Sequence, residues 1–313
     1  MTSPKPAGRH SLQTPGGGFF HWTNPRRDAM AGYLFILPQY VGFLVFIVVP
    51  IVCVLWFSLH DWNLVYGTFE FIGLDNFGRI LTDPEMPSVA VATVAYAVGV
   101  VPLEVGLGLV LALAMNQPVR GIGVFRTVIF APVVVSVIAW TVVWRFILAS
   151  DGILNVGLEV GGIHGPNWLR EDFWALVWLV LVQVLKSVGL AMIVFLAALQ
   201  SVPTDVREAA IVDGAGRWTM FRRITFPLIT PFVFLMVVLA TIDSVKSFGL
   251  VYWLTSGGPG DATKILSYYI YDQAFQRYDE GYGSALSVVL LLIVFVLTAL
   301  QFAARRRWVY SED

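Results

Sequence analysis

Charged side chains are scarce in this 313-residue chain, at 13% of residues against roughly 25% in soluble domains, while 57% are hydrophobic. With a mean hydropathy of +0.74, that deficit excludes an ordinary soluble domain and predicts an integral membrane protein. Cysteine is nearly absent: Cys53 stands alone in an apolar run, so no intrachain disulfide can form. The four histidines, His10, His21, His60 and His164, have no metal-ligand spacing. A net charge of −1 without a basic patch excludes a nucleic-acid binder. A phosphate-binding loop is missing too. The stretch "SGGPGDATK" (256–264) has Lys264 between Thr263 and Ile265, not in the G-x-x-x-x-G-K-[ST] order that cradles phosphates, so no ATP or other cofactor is expected on this chain. Nor does any nucleophile–base or metal constellation suggest an enzyme.

What is present is apolar length. A crossing helix needs about 20 mostly apolar residues, and six stretches qualify, at about 31–58, 89–115, 122–148, 174–200, 231–256 and 284–304. The expected fold is all-α, with six transmembrane helices forming a domain over 29–308 and a flexible tail over 1–28, which is rich in Gly, Pro, Ser and Thr. The first stretch is longer than the apolar core of a signal peptide and is taken as an uncleaved span. Lys5, Arg9, Arg26, Arg27, Arg120, Arg126, Arg207, Arg217, Arg222, Arg223 and Arg305 to Arg307 fall on one side. Arg79, Arg145, Arg170, Lys264 and Arg277 fall on the other. The positive-inside rule then places both termini in the cytoplasm. Trp56, Trp62, Trp144, Trp168, Trp174, Trp253 and Trp308 lie near span ends, where an interfacial belt would put them.

Between the fourth and fifth stretches runs "REAAIVDGAGRWTMFRRITFP" (207–227), too polar for hydrocarbon. Asp205 and Glu208 have capping-box spacing, predicting a helix to about Asp213 that Gly214 ends in a left-handed turn. A second short helix should follow, with Trp218, Phe221 and Ile224 on one face and Pro227 limiting it. On physical grounds this knob is either a docking element with a small-residue face at Ala209 and Ala210, or an amphipathic segment resting on headgroups.

Four charges fall inside the spans: Glu104, Lys186, Asp243 and Lys246. Intramembrane charges point to function by default, so Gln183, Lys186, Asp243, Lys246 and Phe248 are candidate pathway-lining residues. Asp243 and Lys246, at i and i+3, could instead neutralise each other.

Several of these stretches resemble one family. "EAAIVDGA", with Ile224 ten residues after Gly214 and Pro227 three beyond, is similar to the EAA loop of binding-protein-dependent ABC transporter permeases. "FIGLDNFGRIL" (71–81), "VFRTVIFAPVVVS" (124–136), "GILN" (152–155), "FLAALQSVPTDVREAA" (195–210), "LTSGGPGDAT" (254–263) and "YGSALSVVLLL" (282–292) resemble further elements of its MalF/UgpA-type carbohydrate branch. The resemblance implies an importer permease for a sugar, oligosaccharide or related polyol in a bacterial or archaeal cytoplasmic membrane. It implies as partners a second permease, an ABC ATPase dimer that binds the ATP, and an extracytoplasmic solute-binding protein. Glu208, Ala209, Ala210, Asp213, Gly214, Ile224 and Pro227 would form the ATPase-coupling loop. Gly257, Gly258 and Pro259 would face the binding protein. One departure is Phe248-Gly249, where the family often has Phe-Asp. The alternative is a self-sufficient, ion-coupled secondary transporter, which should show paired halves and midplane carboxylates.

Overall fold

The computed structural model describes residues 25–306, so the tail expected at 1–28 lies almost wholly outside the described residues. The described residues begin with α1 (Pro25–Phe43), which passes through a π segment into α2 (Val49–Phe57). A hairpin of β1 (His60–Asn63) and β2 (Thr68–Phe71) follows, paired antiparallel with His60 opposite Phe71. Then come α3 (Asp75–Thr82), α4 (Met86–Met115), α5 (Ile122–Val134), α6 (Val137–Ile147) and α7 (Ile153–Val160). After α8 (Asp172–Ser201), α9 (Thr204–Val212) and α10 (Arg217–Met220) lie α11 (Phe226–Val245), α12 (Gly249–Leu254), α13 (Leu266–Tyr271) and α14 (Glu280–Arg305). Among the described residues, those up to Val52 and those from Cys53 onward form separate compact units.

Among the described residues, five helices are long and apolar enough to cross a membrane, and a bent pair makes a sixth crossing if its two halves form one span. That pair corrects the expectation of one straight helix over 122–148: α5 and α6 meet at 102°. Pro132 lies inside the last turn of α5, and Val135 and Ser136 are extended, which breaks the ladder of backbone hydrogen bonds. Packing directions show that the pair makes one complete crossing. A Cβ on Gly99 would lie 2.9 Å from Val180, and one on Gly108 2.5 Å from Ala191, so contacts advance together along α4 and α8 and the two helices run parallel. Against α8, the bent pair runs the other way. Ile129 meets Gly189, Lys186 reaches Pro132 and Val135, and the Trp140 indole donates to the Val182 carbonyl at 3.0 Å. Two parallel helices joined through one antiparallel element require that element to traverse.

The fifth span differs from expectation at both ends. Helix is continuous from Arg217 to Val245, 29 residues, through a π segment at Phe221–Thr225. Pro227 does not limit the preceding helix, because it falls in the first turn of α11, where the missing N–H carries no penalty when the preceding segment is a π turn. At the other end the helix stops at Lys246, not near 256, and α12 folds back against α6.

Core residues of α4, α8 and α12 centre on Tyr96, Leu179, Val182 and Val251. A second cluster joins α4, α8 and α11 through Ala112, Met192, Phe195 and Met236. Trp168 departs from the interfacial belt: it is buried against Trp174 and Trp178, its indole donating to Asn155 at 2.7 Å. Small residues set the helix separations, as expected where hydrocarbon surrounds the bundle. A Cβ at Gly189 would lie 2.5 Å from the Ile129 carbonyl oxygen, whereas one at Gly106 meets nothing within 4 Å. Gly189→Leu should therefore destabilise the detergent-solubilised chain by at least about 1–3 kcal/mol through overpacking, with Gly106→Leu close to wild type. Paired thermal melts check this, and equal melting of the two variants would contradict the packing.

Candidate functional site

The loop after α8 is built around a helix stop. Gly214 has φ +78°, Ala215 N–H donates to the Ala210 carbonyl at 2.9 Å, and Gly214 N–H donates to Ile211 at 3.0 Å. This is the two-bond Schellman ending, which needs a residue that tolerates the left-handed region. The start of α9 differs from expectation. Its N-terminal flank is Pro203, Asp205 sits inside the first turn, and the only side-chain contact there is Thr204 Oγ1 to Asp205 at 3.4 Å, so no capping box with Glu208 forms. Ala210 is buried, whereas Glu208, Ala209, Asp213 and Gly214 are exposed. Val212 and Trp218 project almost bare at 87% and 71% exposure. Phe221 and Ile224 are half-buried in the π segment, and Phe221 packs on Trp218 and Phe226.

Inside the spans the candidate polar residues divide. Lys186 is a structural cap: its ammonium donates to the carbonyls of Pro132 at 3.1 Å and Val135 at 2.7 Å, satisfying the backbone freed by the broken span. Asp243 and Lys246 do not neutralise each other, because α11 ends between them at Val245; both are exposed and share no ion pair. Glu104 is buried at 4% exposure beside Ser187 and within electrostatic reach of Asp243. Gln183, one turn from Ser187, supplies its carbonyl to the Ser187 hydroxyl. Phe248 belongs to an aromatic group, with ring centroids 4.9 Å from Tyr271 and 5.4 Å from Tyr252.

At the other end, the loop of Gly257, Gly258 and Pro259 is a tight turn. Fully buried Thr263 donates one hydroxyl hydrogen between Thr255 Oγ1 at 2.8 Å and the Gly258 carbonyl at 2.6 Å.

The profile of the family described as "binding-protein-dependent transport system inner membrane component" matches residues 104–310. The chain belongs to this family. It is 34% identical to the probable ABC transporter permease protein YesP of Bacillus subtilis, over 92% of this chain and 94% of that one. It is also 34% identical to the trehalose/maltose transport system permease protein MalF of Thermococcus litoralis, over 87% and 92%. Its fold matches a chain of a bacterial alginate ABC transporter solved with an alginate-bound periplasmic protein, with TM-score 0.80 at 23% identity over 92% of this chain and 97% of that one. The protein is thus an ABC-importer permease subunit embedded in a membrane, not a catalytic subunit.

The motif residues of the permease serve identifiable structural ends. Asn76 of "FIGLDNFGRIL" donates its amide to the Ser58 and His60 carbonyls at 3.0 and 2.9 Å, tying α3 to the hairpin. Asn155 of "GILN" donates to Ser150 and accepts from Trp168. Sequence reasoning missed a carboxylate hub entirely. Asp83 accepts hydroxyl hydrogens from Tyr269 at 2.6 Å and Tyr282 at 2.5 Å. Burial would raise its carboxyl, but these hydrogen bonds prevail and hold it below its ordinary value. Glu85 accepts the Arg277 guanidinium as a fork at 2.7 and 3.0 Å, and Lys264 at 2.8 Å. The Arg277 fork, opposed by burial and aided by Lys264, brings Glu85 from 4.5 down to about 2. No local pattern announces partners about 180 or more residues apart.

A lowered carboxylate stabilises the fold above its unfolded value and loses that contribution as pH falls through the folded one. Glu85 should therefore contribute fully above about 4.5 and progressively less toward 2. Glu85→Gln should lower the melting temperature of the permease at pH 7, and the gap to wild type should close as pH drops below 4. A gap independent of pH would remove the ion-pair explanation.

Proposed function

We propose that this chain forms half of the translocation pathway of an importer for a sugar, oligosaccharide or related polyol, in a bacterial or archaeal cytoplasmic membrane. A second permease, a separate ATPase dimer and an extracytoplasmic solute-binding protein complete the assembly. The observation that carries the coupling role is the uninterrupted helix from Arg217 to Val245, which joins the exposed knob directly to a span. Glu208, Ala209, Asp213 and Gly214 would present the knob to the ATPase, with Ala210 holding it to the bundle. Ile224 and Pro227 lie on the rod itself, so ATPase closure would move span and knob together. Substrate class is supported by relatives named for trehalose/maltose and lactose transport. Orientation rests on the excess of arginine on the knob side. A secondary transporter is disfavoured, because coupling through a family-type loop needs no ion site in the spans.

Gly214→Val should leave the chain in the membrane but reduce uptake at least tenfold, because a β-branched residue at φ +78° is strained. Uptake at wild-type rate would discard the turn's role. Reconstitution in liposomes, omitting each partner in turn, should give transport only with all present; ion-driven accumulation by this subunit alone would instead establish the secondary transporter. In a Cys53→Ser background, a cysteine at Tyr66 in the hairpin turn should react with an impermeant thiol reagent on intact cells, and one at Gly216 should not. The opposite pattern would invert the topology.

A further inference from the structure

A cavity of about 420 Å³ lies where α4 and α8 end, roofed by the start of the knob. Leu113, Leu199 and Phe221 form an apolar part of its wall, although the lining as a whole exposes more polar than apolar surface. Leu113 and Leu199 each stand two residues before their helix ends, at Met115 and Ser201, so this wall belongs to the depth at which the spans leave hydrocarbon. The rim is polar and cationic, with Arg207 from α9, Arg217 from α10 and Asn116 from the turn after α4. No carboxylate lines the cavity. Neither guanidinium has an ion pair or hydrogen bond to any described residue, although the ion pairs at the opposite end of the bundle are saturated. Close by, Arg126 donates one N–H to the Met115 carbonyl, and its buried Nε has no partner. Across the two connections that frame the cavity, Arg120, Arg126, Arg207, Arg217, Arg222 and Arg223 outnumber Asp205, Glu208 and Asp213.

An apolar patch of wall at interfacial depth, within a largely polar lining that holds two unpaired forked cations, fits an amphipathic anion. We propose that this cavity binds the phosphodiester headgroup of an anionic phospholipid, with its glycerol and upper acyl carbons on the wall and its phosphate between Arg207 and Arg217. Guanidinium forks suit phosphate oxygens, and basic pockets at span ends are known settings for anionic headgroups. Free phosphate would satisfy the rim but leave the wall uncovered. An acidic side chain of a docked ATPase would likewise use only the rim. A lipid held there would clamp α9 and α10 to the turn after α4, so the knob's position would respond to membrane composition. The site does not require the knob to dock on an ATPase.

The test is native mass spectrometry of the purified full-length chain titrated with phosphatidylglycerol or phosphatidylcholine. Wild type should retain phosphatidylglycerol about tenfold more tightly, Arg207→Gln/Arg217→Gln should lose the preference, and Arg207→Lys/Arg217→Lys should keep part of it. Excess inorganic phosphate should displace little of the lipid. Equal retention of the two lipids, or a preference that survives in the glutamine variant, overturns the proposal. So does complete displacement by inorganic phosphate, which would mark a site for free anions. If the glutamine variant keeps lipid selectivity but no longer copurifies with the ATPase, the arginines serve the protein partner and the lipid site is refuted.

Discussion

A backbone carbonyl in hydrocarbon has no water to turn to, and leaving one unpaired costs several kcal/mol. That constraint is most severe where α5 gives way to α6, because the break frees carbonyls in the middle of a crossing. Lys186 answers it by reaching from α8 to two of them. Its charge is thereby spent inside the protein, on aligned carbonyl dipoles at a helix C-terminus, where a cation is favoured. Gly189 and Trp140 hold the same two elements together on either side of that contact. The broken span, its close approach to α8 and an otherwise unfavourable intramembrane lysine form one arrangement, and none of the three is tenable without the others.

At the opposite end of the bundle a comparable economy governs the connecting segments. Asp83 and Glu85, side by side before α4, gather Tyr269, Tyr282, Lys264 and Arg277 from the chain around α13 and the start of α14. Arg79 adds Asp279 and lies over the Tyr282 ring. These groups are partly shielded and multiply shared, which distinguishes them from isolated surface pairs worth little. The hairpin is bound into the same region by Asn76 and by the Leu64 N–H, which donates to Glu280.

Much of this was legible in the residues themselves. Apolar runs located the crossings because hydrocarbon thickness sets their length, and Gly214 marked a helix stop because few residues accept its backbone conformation. What escaped was whatever depended on distant neighbours. Lys186 resembled a pathway residue because its partners are carbonyls, which carry no sequence signature. Asp243 and Lys246 had the spacing of a pair, but that spacing has meaning only within a helix, and α11 ends between them. Pro227 was misjudged because proline breaks helix interiors but is accepted in a first turn, and only the preceding π segment makes its position a first turn. The candidate site was thus traceable as a loop, while its mechanical connection to the span was not.

The π segment at Phe221–Thr225 also fixes an angle. A π turn holds one residue more than an α turn, and each residue advances a helix by about 100°. The extra residue therefore sets the azimuth at which Arg217 and Trp218 leave the axis of the rod whose far part packs on α4 and α8. Were the segment to relax to an α turn, the rod would keep its roughly 43 Å length almost unchanged, but everything before Phe221 would be rotated about a quarter-turn. The span thus carries a built-in phase: the direction in which the knob faces is determined by residue count within five positions, independently of how the membrane-embedded portion is packed.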